Sequence, residues 1–139
     1  EAALQALAQV VERAGGPGTL QPDEVRAQAL RAEALLQLRR DGEARVAAQA
    51  AIDRLAASGL RPYYAALEAD ALLPLGRALQ REGQFELACA ALESAVTLRR
   101  ASLGERSPYL AEARAAQAEC LAERARAGGA GGPRAERRQ

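Results

Sequence analysis

Apolar positions along the chain recur every three or four residues and never alternate at period two for long, the pattern of amphipathic helices and not of strands. Glycine and proline cut this pattern into six helical segments. Residues 1–14 end at Gly15-Gly16-Pro17-Gly18. A second segment, 23–40, opens behind Pro22 with Asp23 and Glu24 and closes on Arg39 and Arg40, acids and bases that suit the two poles of a helix dipole. Asp41-Gly42 predicts a tight turn into 43–57, which Ser58-Gly59 closes. The pair Gly83-Gln84 separates 62–82 from 85–103, and Ser107-Pro108 opens a last helix to residue 127, with Ser107 as its N-cap. Pro74 stands inside a helix, removes the bond to the Asp70 carbonyl and predicts a kink there. The glycine-rich stretch 128–139 reads as a flexible Gly/Arg tail.

Leu35, Leu38, Val46, Leu55, Leu72, Leu75, Leu79, Phe85, Leu92, Val96 and Leu121 are the expected core. Composition sharpens this picture. Thirty-six of 139 residues are alanine, there is one phenylalanine, and all 19 basic side chains are arginine. Good helix formers dominate, so the expected class is all-α. Histidine and lysine are absent, which removes the usual general base, the commonest metal ligand and Schiff-base chemistry. Ser58, Ser94, Ser102 and Ser107 then have no base to activate them, and Gly15-Gly16-Pro17-Gly18 lacks the strand and lysine of a phosphate loop. No catalytic, cofactor or metal site is expected. A net charge of +1, spread evenly and without interleaved aromatics, argues against nucleic acid, and no stretch approaches a membrane span. Cys89 and Cys120 sit in apolar helical patterns and read as buried, reduced thiols of a cytoplasmic protein. With no methionine at Glu1, the chain reads as a segment of something longer.

Self-comparison adds a repeat. Glu82-Gly83-Gln84-Phe85-Glu86-Leu87-Ala88 falls over Asp41-Gly42-Glu43-Ala44-Arg45-Val46-Ala47 at an offset of 41, and Gly76 falls on Ala118 at 42. Gly76, Ala88, Ala47 and Ala118 are therefore expected at the closest helix contacts. The stretch from Leu75 and Gly76 through Leu79 and Phe85 to Ala88, Leu92 and Ala95 resembles a tetratricopeptide repeat. Leu103-Gly104 followed by Ser107-Pro108-Tyr109 is similar to the linker of the longer, kinesin-light-chain-like repeats, of about 42 residues, found in bacterial signalling proteins. Ala44 and Arg54 depart from the pattern in the first repeat. The resemblance implies a right-handed α-solenoid of antiparallel helix pairs. Residues 1–14 would be the second helix of a truncated repeat, 22–57 repeat one, 62–103 repeat two and 108–127 a closing helix. A plain alanine-rich bundle accounts for the same leucine spacing.

The resemblance also implies a function, a non-catalytic protein-interaction module whose first helices line a concave groove. Carried onto this sequence, the groove stripe is Leu36, Arg39 and Arg40, then Asp70, Leu73, Arg77, Gln80 and Arg81, then Glu112, Glu119 and Glu123. Spacings of three and four place each set on one helix face. A groove rich in arginine suits a peptide with an acidic stretch. Pairing of Arg77 and Arg81 with Glu119 and Glu123 would instead close it. The alternative function is structural self-association.

Overall fold

A computed structural model describes residues 2–13 and 21–137. Six α-helices follow one another: α1 (Ala2–Arg13), α2 (Pro22–Gln37), α3 (Asp41–Ser58), α4 (Ala65–Arg81), α5 (Phe85–Leu103) and α6 (Pro108–Arg137). Among the described residues one 3₁₀ turn, Arg61–Tyr64, precedes α4, with Pro62 in its first positions, where a missing N–H breaks no helical bond. The described chain is all-α. Pro74 is buried within an unbroken α4. The tail expected from residue 128 is corrected, since α6 continues to Arg137. Glycine disfavours the right-handed helical conformation without forbidding it, so the glycines at 128 and 129 do not end the helix.

Each helix packs on the next, and two further contacts join α2 to α4 and α4 to α6. The short connections from α2 to α3, from α4 to α5 and from α5 to α6 make those pairs antiparallel. Alanine dominates the interfaces, with Ala29, Ala32, Ala44, Ala48, Ala51, Ala71, Ala78, Ala88 and Ala95 all buried. Such small side chains let helix axes approach closely, and Leu35, Leu55, Leu92 and Leu110 fill the remaining space. At Gly76 the approach is closest. A Cβ there would lie 2.6 Å from Cγ and Cδ2 of Leu92 and 3.3 Å from the Ala88 carbonyl.

The turn after α2 is not at Asp41-Gly42. It lies at 38–40, where Arg39 takes a left-handed φ of 61° and the Arg40 N–H bonds the Leu35 carbonyl at 2.9 Å. The turn after α4 repeats this geometry: Gly83 has φ 80° and the Gln84 N–H bonds the Leu79 carbonyl at 2.9 Å. Arg39 is thus the counterpart of Gly83, at an offset of 44, and Gly42 falls inside the first turn of α3. The same offset maps buried Ala44, Ala48, Ala51 and Ile52 onto buried Ala88, Leu92, Ala95 and Val96. Between α4 and α6 the offset is 41, mapping Ala69, Leu72, Leu75 and Leu79 onto Leu110, Ala113, Ala116 and Cys120.

These registers correct part of the expected core. Val46, on the wrong side of α3 once its register shifts, is 60% exposed, and Leu38 belongs to the turn and is 46% exposed. Leu121 and Ala118 face outward because Cys120 and Ala116 take the inward positions on α6. Phe85 is half-buried at the start of α5. Leu35, Leu55, Leu72, Leu75, Leu79, Leu92 and Val96 are buried as expected, as are Ala47 and Ala88.

Candidate functional site

Helices α2, α4 and α6 share one side of the molecule, and two adjoining clefts run between them. One, of about 350 Å³, is lined by Arg39, Arg77, Gln80, Arg81, Ala116, Glu119 and Glu123. The other, of about 220 Å³, is lined by Glu33, Leu36, Gln37, Leu73, Pro74, Arg77, Arg81 and Glu112. Of the eleven residues singled out from the sequence, six meet in the first cleft, and Leu36, Leu73 and Glu112 line the second. The remaining two lie elsewhere. Arg40 forks onto both carboxylate oxygens of Glu43 at the start of α3, and this hydrogen bonding holds the Glu43 carboxyl below its ordinary value. Asp70 is held by Arg99 from α5, Nη2 to Oδ1 3.2 Å.

Within the cleft the charges divide into fixed and unpaired. Arg81 donates from Nη1 to the Leu36 carbonyl at 2.9 Å and to Asp41 Oδ1 at 3.1 Å, tying α4 to the end of α2. Gln80 Nε2 donates to Glu123 Oε1 at 2.8 Å, tying α4 to α6. The side chains of Arg39, Arg77 and Glu119 form no hydrogen bond or ion pair among the described residues. The pairing of Arg77 and Arg81 with Glu119 and Glu123 that would have closed the groove is not formed.

Arg99 is the residue the sequence reading missed. It is 3% exposed and occupies the place that Leu55 fills one helix pair earlier. Its Nη1 donates to the Tyr109 carbonyl at 2.7 Å and to Glu112 Oε1 at 3.0 Å, and its guanidinium lies 5.9 Å from the Tyr109 ring centroid. Burial, then the charges of Glu112 and Asp70, push the Glu33 carboxyl above its ordinary value, opposed by Arg99 and Arg77. Aligned at an offset of 41, Arg99 falls against Ser58 and looks like an ordinary base at a helix end. Only the offset of 44 sets it against a core leucine.

A further cavity of about 590 Å³ lies on another face, between the 3₁₀ turn with early α4 and α5, lined by Arg61, Pro62, Glu68, Ser94, Thr97 and others. The Glu68 side chain is 4% exposed and is clasped by Arg61, whose guanidinium this contact raises above its usual pKa. Cys89 and Cys120 are buried and unbridged. Burial, then Cys89, pushes the Cys120 thiol up to about 12. Among the described residues no cluster of acidic, cysteine or histidine side chains is arranged to hold a metal ion, and no helix is long and apolar enough to cross a membrane. Compared with known proteins, the chain matches no family model, no curated protein and no solved structure.

Proposed function

We propose that the chain is a non-catalytic protein-interaction module that holds a peptide or a neighbouring domain in the groove of α2, α4 and α6. In this reading the helices form a short right-handed α-solenoid of the tetratricopeptide kind, a cytoplasmic segment of a larger bacterial signalling protein. What supports the architecture is the contact order, α2 on α4 and α4 on α6, with buried positions recurring from one helix pair to the next. The single observation that carries the function is the 350 Å³ cleft, whose side chains converge from the turn after α2, from α4 and from α6, while those of Arg39 and Arg77 make no internal hydrogen bond or ion pair. Arginine without a partner in a concave site is suited to bidentate capture of a carboxylate.

Selection of a phage-displayed library of random dodecapeptides on the folded chain tests this. Enriched peptides should lose binding to Arg77→Glu, which disturbs no internal bond. Peptides that bind Arg77→Glu as well as the parent would move the site away from the groove. Self-association is the second reading, and one observation favours it. Ala111, Ala115, Ala118, Ala122 and Ala125 form an exposed stripe on α6 with the alternating spacing of a close-packed helix pair. Sedimentation across a concentration series distinguishes the two, since a peptide-binding monomer shows no shift.

A further inference from the structure

The large cleft is lined by charges of both signs, and the unpaired ones lie on different helices. Arg39 is in the turn after α2, Arg77 is on α4 and Glu119 is on α6. Arg77 and Glu119 line the same cleft without pairing with each other, so an unpaired cation of α4 and an unpaired anion of α6 face one space. A purely acidic peptide would satisfy the arginines and be repelled at Glu119 and Glu123. A purely basic one would meet the reverse.

Arg39 adds an independent observation. At the equivalent turn after α4 the left-handed residue is Gly83, which adopts that conformation without steric cost. Arg39 takes the same conformation with a full side chain that makes no internal hydrogen bond or ion pair and lines the cleft. Backbone strain carried by a side chain that does nothing for the fold points to a role outside it.

Resting on the groove reading above, we propose that the ligand is a peptide of mixed charge. It crosses from α2 to α6 with an acidic residue against Arg39 and Arg77 and a basic residue against Glu119. Successive side chains of an extended chain point to opposite faces, so two charges that both reach this cleft stand two or four positions apart. Arg81 and Glu123, already engaged by Asp41 and Gln80, hold the walls of the cleft in place.

Sequencing the dodecapeptides enriched on the parent chain, and measuring the best of them against three variants, tests this. The expected result is an acidic and a basic residue recurring two or four positions apart. Glu119→Lys should weaken those peptides by about tenfold and turn a repeated selection toward acidic sequences, because like charges across the cleft repel. Arg39→Gly should weaken them while leaving the melting temperature equal or higher. Glu119→Gln should give an intermediate affinity. Enrichment of acidic peptides with no recurrent basic residue, or full binding to Glu119→Lys, overturns the mixed-charge ligand and leaves the groove. Failure to enrich any peptide, or binding indifferent to Arg77→Glu, removes the groove and this proposal with it.

Discussion

Two arginines four positions apart on α4 have different work. Arg81 makes two hydrogen bonds to the end of α2 and the start of α3, and Arg77 makes none. Arg81→Glu loses both bonds and sets a carboxylate beside Asp41, so it should cost on the order of 1–2 kcal/mol in urea unfolding. Arg77→Glu should change stability by less than about 0.5 kcal/mol in the same measurement. Arg99 sits where a leucine sits in the preceding pair. Arg99→Ala leaves a cavity and unbinds Asp70 and Glu112, which should cost about 3 kcal/mol, discounted because both carboxylates are half in water. Arg99→Leu refills the volume and should recover most of that loss. A leucine variant as unstable as the alanine one would mean the ionic contacts, not the volume, hold α5 to α6. Glu33 gives a pH signature. Its carboxyl is raised in the folded state, so its contribution is fully present below the unfolded value of 4.5 and is lost as pH rises through the folded value. Glu33→Gln should therefore raise the melting temperature at pH 7 and leave it unchanged near pH 4.

At the scale of elements, close approach is the main constraint. Gly76 faces Leu92 with no room for a methyl group. Gly76→Leu should cost about 2 kcal/mol, although leaving glycine favours a helix by about 1 kcal/mol. An unchanged urea midpoint would mean α4 and α5 can separate without loss. The turn after α2 behaves in the opposite way. Arg39→Gly relieves a left-handed side chain worth about 1–2 kcal/mol, less glycine's extra entropy when unfolded, for a net gain of about 0.5–1 kcal/mol. The turn also explains what could be read in advance. Glycine and proline located every helix, because they act on the backbone locally and need no partner. They misplaced one turn, because an aspartate-glycine pair signals a turn strongly while Arg39 in a left-handed conformation has no sequence signal at all. That single displacement moved the first pair by three residues, and with it Leu38 and Val46 left the core.

For the whole molecule, the groove stripe survived the error in register because it was read from faces of α4 and α6, where the periodicity is strong. Arg77, Gln80, Arg81, Glu119 and Glu123 meet from faces of α4 and α6, whereas Arg39 reaches the cleft from a turn and Arg40 points to Glu43, because their helix had already ended. Arg99 and Glu33 were illegible, since Arg99 owes its character to burial against α4 and α6, and Glu33 to partial desolvation beside Glu112 and Asp70 of other helices. The contact order has a mechanical side. Among the described residues α4 touches α2, α3, α5 and α6, whereas α3 and α5 do not touch each other. The spacing of the outer helices α3 and α5 is therefore set only through their contacts with α4. A change in that spacing would bend the row of α2, α4 and α6 without parting a packed pair, so the curvature of the row is expected to be its softest coordinate.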